Sequence, residues 1–100
     1  MENMHHIALC VDDIQEASEW YLNTFKSKLM YLDDTWAAIQ FDNILLALVL
    51  PGQHPPHIAV EREDAEKFGA LVTHRDGTAS TYIKDPWGNT IEILKSKGHD

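Results

Sequence analysis

Cysteine is almost missing from this sequence. Cys10 is the only one in 100 residues, which excludes an intrachain disulfide and leads us to expect a reducing, cytoplasmic setting. Basic residues are scarce too: eight Lys and Arg stand against sixteen Asp and Glu, for a formal net charge of −8. They form no cluster, so neither nucleic acid nor an anionic membrane is an expected partner, and a neutral or cationic small molecule fits better. Long apolar runs are absent as well. The longest, Ile44 to Leu50, is strand-sized, far short of the ~20 residues that span a bilayer. The opening MENMHH has no basic n-region and no apolar h-region, so no secretory leader is expected.

What is present is an ordinary globular composition in a length that suits one compact domain over 1–100. Its most informative feature is a repeat. His6-Ile-Ala-Leu near the start is echoed by His57-Ile-Ala-Val, each followed by acidic residues. The first copy reads as a strand over residues 5–11, with Ile7, Leu9 and Val11 on one face and His6, Ala8 and Cys10 on the other. Asp13 can cap a helix, with Glu16 three residues on, and Ile14, Ala17, Tyr21 and Phe25 follow at helical spacing. Strands are expected at Lys28–Leu32, Trp36–Phe41 and Ile44–Leu50, separated by the turn pairs Asp33-Asp34 and Asp42-Asn43.

The segment PGQHPP, 51–56, is too short for a flexible linker and joins two halves of one domain. The pattern then restarts. A strand is expected over 57–61, with Ile58 and Val60 opposite His57 and Ala59. A helix follows over 63–70 with Ala65 and Phe68 inward, then strands at Ala70–His74, Thr81–Lys84 and Asn89–Lys95. Asp85-Pro86-Trp87-Gly88 suits a type I turn. Each half is strand, helix, strand, strand, strand. The expected fold is α+β, with two βαβββ modules (about 4–50 and 57–95) forming a curved, mostly antiparallel eight-stranded sheet around a cleft.

Equivalent modules put their first strands in symmetric places, so His6 and His57 would both face that cleft. In the last strand Ile91 and Ile93 share the apolar side, which turns Glu92 the other way. Two imidazoles and one carboxylate make a facial ligand set that leaves coordination positions open; its N and O donors suit Fe, Mn, Ni, Co or Zn without choosing among them. Trp36 and Gln40 alternate with Ala37, Ile39 and Phe41 and are candidates for the cleft wall, with Ala8, Cys10 and Ala59 lining its floor. As a thiol on the His6 face, Cys10 reads better as a small buried hydrophobe than as a ligand. His74 reads either as a solvated strand-end residue or as a general base, and Tyr82 either as a sheet tyrosine or as a cleft residue. Trp20 and Tyr21 are expected in core and interface packing. His5, His54 and His99 are not expected to be ligands.

These motifs resemble those of the vicinal oxygen chelate superfamily, which includes glyoxalase I, fosfomycin and bleomycin resistance proteins and extradiol dioxygenases. The carrying segments are His6-Ile-Ala-Leu-Cys-Val-Asp-Asp13 with SEWYLNTF, His57-Ile-Ala-Val, and Tyr82-Ile-Lys-Asp-Pro-Trp-Gly-Asn-Thr-Ile-Glu92, and the likeness runs from His5 to Lys95. The resemblance implies a divalent metal on His6, His57 and Glu92, and a substrate that chelates through two adjacent oxygens. The glyoxalase I branch takes a fourth ligand from the fourth strand, where Leu46 or Ala47 stands here and neither can ligate. The scarcity of basic side chains speaks against a phosphonate substrate. His74, Tyr82, Asp85-Pro86, Gly88 and Glu92 follow the extradiol spacing, with Thr81 as a departure and a chain shorter than most members of that branch. That branch would give His74 and Tyr82 catalytic roles. The resemblance implies a lyase, isomerase or ring-cleaving dioxygenase, and a homodimer. Its alternative is a metal-free binder that sequesters a cationic drug or metabolite, as bleomycin resistance proteins do.

Overall fold

A computed structural model describes residues 1–95, so His99 lies outside the described residues. The chain divides into two compact units: one runs from His6 to Pro56, and the other joins Met1–His5 to the chain from His57 onward.

In the first unit, strand β1 (Asn3–Cys10, whose pairing with β4 begins at His6) leads through Asp13 into helix α1 (Ile14–Thr24). The Asp13 side chain accepts the Glu16 amide at 3.0 Å, satisfying an N–H that the helix start would otherwise leave unbonded. The helix stops where Phe25 turns extended while its amide still reaches the Tyr21 carbonyl. Strands β2 (Lys28–Leu32), β3 (Trp36–Gln40) and β4 (Leu45–Val49) follow, in the sheet order β2-β3-β4-β1. The hairpins are antiparallel, and β1 lies parallel to β4 with His6 opposite Leu45 and Cys10 opposite Val49. The core of this unit is Ile14, Ala37, Ile39, Leu46 and Leu48, against which Ile7, Val11, Ala17, Tyr21 and Leu22 pack. Alternation thus sends odd positions of β3 to the helix. Two expected core positions differ. Trp20 is more than half exposed, lying edge-on to Tyr21 and Phe25, and Leu9 is also exposed. Ser18 takes a buried helix position instead, where its hydroxyl donates to the Ile14 carbonyl at 2.7 Å.

The second unit repeats the plan: β5 (His57–Arg62), a single 3-10 turn (Ala65–Phe68), β6 (Val72–Thr73), β7 (Ala79–Lys84) and β8 (Thr90–Lys95), in the order β5-β8-β7-β6. The parallel pair is again first strand with last, β5 with β8. The α+β class and the repeated topology are therefore those expected from the sequence. The second helix is not. The expected helix over 63–70 shrinks to one 3-10 turn, which ends at Gly69 in close approach to β7. Ala65 is buried as expected, whereas Phe68 stays exposed with the Arg62 guanidinium over its ring. The expected strand 70–74 shortens to Val72–Thr73, since His74 already opens a tight turn through Gly77.

A Cβ on Gly69 would sit 2.7 Å from Oγ1 of the buried Thr81. Gly69→Ala is expected to destabilise the protein by about 1–3 kcal/mol, as overpacking of a tight site does, readable by thermal unfolding. An unchanged melting temperature would contradict this packing.

Candidate functional site

The β7–β8 turn sets the register of its hairpin. The Gly88 amide donates to the Asp85 carbonyl at 3.1 Å, as a type I turn requires, and Gly88 takes the positive φ of 87° that other residues avoid. Asp85 closes the loop with its carboxylate: Oδ1 accepts the Trp87 and Asn89 amides and Oδ2 the Asn89 side chain. These bonds hold its carboxyl below the usual range, the Asn89 side-chain bond contributing most. Closing the loop in this way pairs Lys84 with Thr90 and Tyr82 with Glu92. A slip of one residue would turn Glu92 to the other face.

On β5 the parallel register sets Ala59 opposite Glu92 and His57 opposite Thr90. One face of this unit therefore carries His57 and Ala59 from β5, Thr90 and Glu92 from β8, and Ser80, Tyr82 and Lys84 from β7. Ala59, which is fully buried, leaves room for the glutamate beside it. The Glu92 and His57 side chains are 6% and 4% exposed, so this is a carboxylate and an imidazole withdrawn from water. Oε1 of Glu92 lies 3.3 Å from His57 Nε2, while Oε2 accepts the Ser80 hydroxyl at 2.7 Å. His74 Nε2 is 2.7 Å from Ser80 Oγ and 3.5 Å from Oε2. Ser80 has one proton and gives it to Glu92, so the His74 N–H donates to Ser80. The Tyr82 ring meets His57 edge to face, with centroids 5.4 Å apart. Although the residue as a whole is 39% exposed, partial withdrawal of the Tyr82 phenol from water, with the adjacent Glu92 carboxylate as charge and hydrogen-bond partner, pushes it up to about 12.

The unfolded phenol ionises near 10, so the raised value favours the folded state below that pH and the contribution fades as pH climbs from about 10 to 12. In metal-free protein, an absorbance titration at 295 nm is expected to show a tyrosine ionising well above pH 10, and Tyr82→Phe is expected to remove that step. Three equal titrations near pH 10 would contradict this environment.

In the first unit His6, Ala8 and Cys10 share a face with Leu45, Ala47 and Val49, and beyond them with Gln40, Ala38 and Trp36. His6 is half-buried and Ala8 buried. Cys10, expected to be buried, is half-buried, with its thiol donating to the His54 carbonyl. Trp36 stacks on Tyr31 at 4.5 Å, and the Gln40 amide donates to the Phe41 carbonyl. The candidate residues of each module thus lie on one face of their own unit. The residue that sequence reading passed over is Ser80. A small polar residue two positions before Tyr82, in phase with Glu92, is the signal that could have found it.

The residues fit a divalent cation. A metal about 2.0–2.2 Å from an imidazole nitrogen and a carboxylate oxygen holds those atoms roughly 3.0–3.4 Å apart at octahedral to tetrahedral angles, and His57 and Glu92 stand at 3.3 Å. No family model matches the sequence, and no curated protein does. Solved structures do. A glyoxalase/bleomycin resistance protein/dioxygenase superfamily member from Vibrio splendidus 12B01 shares 13% identity, covering 94% of this chain and 98% of its own at a TM-score of 0.69. The chain has the fold of that superfamily. A hypothetical protein from Bacillus halodurans C-125 is similar at 16% identity and a TM-score of 0.74, covering 99% of this chain and 97% of its own. No helix among the described residues is long and apolar enough to cross a membrane.

Proposed function

We propose that the chain is a divalent-metal-dependent enzyme acting on a small molecule with two adjacent oxygen atoms, of the lyase, isomerase or ring-cleaving dioxygenase type. The observation that carries this reading is the buried His57–Glu92 pair at metal-ligand separation. His6 is proposed as the third ligand, on the strength of its matching place in the sequence repeat. Fe, Mn, Ni, Co and Zn all suit such donors. When bound, the cation would supply Lewis-acid polarisation of the chelating oxygens. The protein's own groups do the rest. His57 and Glu92 hold their donor atoms out of water, where electrostatic interactions are strong. Tyr82 keeps its proton through the neutral range and can donate it to a substrate oxygen while its ring orients His57. His74 reaches Glu92 from the more exposed side through Ser80, and we assign it the movement of a proton to or from the substrate. A homodimer within one cell compartment, the cytoplasm, completes the proposal.

A second reading, metal-free capture of a cationic molecule, draws on the net charge of −8 and on a groove lined by Asp12, Asp13, Asp33 and Asp34 with Leu32 and Leu50. The two separate by elemental analysis of untagged protein beside His57→Ala. Stoichiometric transition metal that the substitution removes is the expected result. No metal in either protein, even after reloading, would overturn the enzyme reading and leave the binder.

A further inference from the structure

We propose that Ser80 is a positioning residue for the metal-binding carboxylate, fixing Oε2 of Glu92 so that Oε1 alone is presented to the cation; the inference rests on the metal reading above. Ser80 is fully buried in β7, at a position where alanine would fill nearly the same space without a polar group to satisfy. Its hydroxyl is used twice. It donates to Glu92 Oε2 at 2.7 Å and accepts the His74 N–H at 2.7 Å. Ser80 thus engages Oε2, whereas His57 Nε2 lies 3.3 Å from the other oxygen, Oε1.

The terminal torsion of a glutamate is broad and nearly two-fold, so burial alone does not decide which oxygen points where. The Ser80 hydroxyl holds Oε2, beside a Tyr82 phenol that also bonds this carboxylate. With Oε2 held, Glu92 binds through one oxygen, which keeps coordination positions open for a two-oxygen substrate. Without the hydroxyl, the carboxylate can turn both oxygens to the cation or swing toward His74, already 3.5 Å from Oε2. Outer-shell partners of this kind orient ligands and tune affinity.

The test uses the metal-free full chain titrated with Co(II) against a competing chelator, with the visible Co(II) band recorded at saturation. Ser80→Ala and Ser80→Gly, which remove the oxygen, are expected to weaken Co(II) binding by roughly 10- to 100-fold and to alter the band. Ser80→Thr, which keeps the hydroxyl, is expected to return both toward wild type. Circular dichroism of each metal-free variant reports folding separately. An oxygen-free variant that folds and binds Co(II) with wild-type affinity and an unchanged band overturns the role of Ser80 while leaving the metal reading intact. A wild-type chain that takes up no Co(II) overturns both.

Discussion

Glu92→Gln is expected to weaken divalent-metal binding by more than the roughly 100-fold that loss of an outer-shell partner can cost, because it removes a ligand charge itself. The substitution preserves shape, so the effect isolates chemistry. An amide offers one acceptor oxygen and one donor nitrogen where the carboxylate offers two acceptors. Around Glu92 stand His57, Ser80 and Tyr82, all placed to meet acceptors, and the side chain is 6% exposed. One of these groups then faces an N–H. A buried donor left without its acceptor costs about 1–3 kcal/mol, so a modest loss of stability in the metal-free protein is expected alongside the loss of metal. Chelator competition measures the first effect and thermal unfolding the second. Metal affinity within a few-fold of wild type would exclude Glu92 as a ligand.

Leu48→Ala carries the other large effect, on the fold alone. Leu48 is fully buried in β4 among Ile14, Ala37, Ile39 and Leu46, where helix and sheet of the first unit meet. Removing such a side chain costs its transfer free energy and leaves a cavity, about 2–5 kcal/mol in total. For a chain of this size that corresponds to a fall of roughly 10 °C or more in melting temperature. Leu29→Ala on the exposed edge strand β2 is the comparison, with an expected change within about 0.5 kcal/mol. Equal losses in the two variants would mean that the first unit is not built around Leu48.

The parts of this fold that could be read in the sequence are those governed by short periodicities. Alternation in WAAIQ sends Ala37 and Ile39 inward, Asp13 with Glu16 marks the helix start, and Asp85 to Gly88 announces the turn that pairs Tyr82 with Glu92. The faces of His57 and Glu92 were read from alternation, against Ile58 and Val60 in β5 and against Ile91 and Ile93 in β8. What escaped depends on contacts between distant residues. The helix expected over 63–70 is a single turn that ends at Gly69, a glycine that already weakened that end in the sequence; its close approach to Thr81 of β7 is the part no local pattern announces. Trp20 has a core residue's chemistry on the solvent side of α1, while Ser18 has a surface residue's chemistry inside; helical phase separates them more reliably than hydrophobicity does. Ser80 was passed over for a related reason. Its importance lies in two hydrogen bonds to side chains six and twelve residues away, His74 and Glu92.

The most direct test of the proposed centre is X-ray absorption at the edge of whichever metal the untagged protein carries. Scattering from two imidazoles, with the remaining donors oxygen or nitrogen at about 2.0–2.2 Å, is the result expected for His6, His57 and Glu92. A sulfur shell near 2.3 Å, which would bring in Cys10, or the absence of imidazole scattering would contradict it.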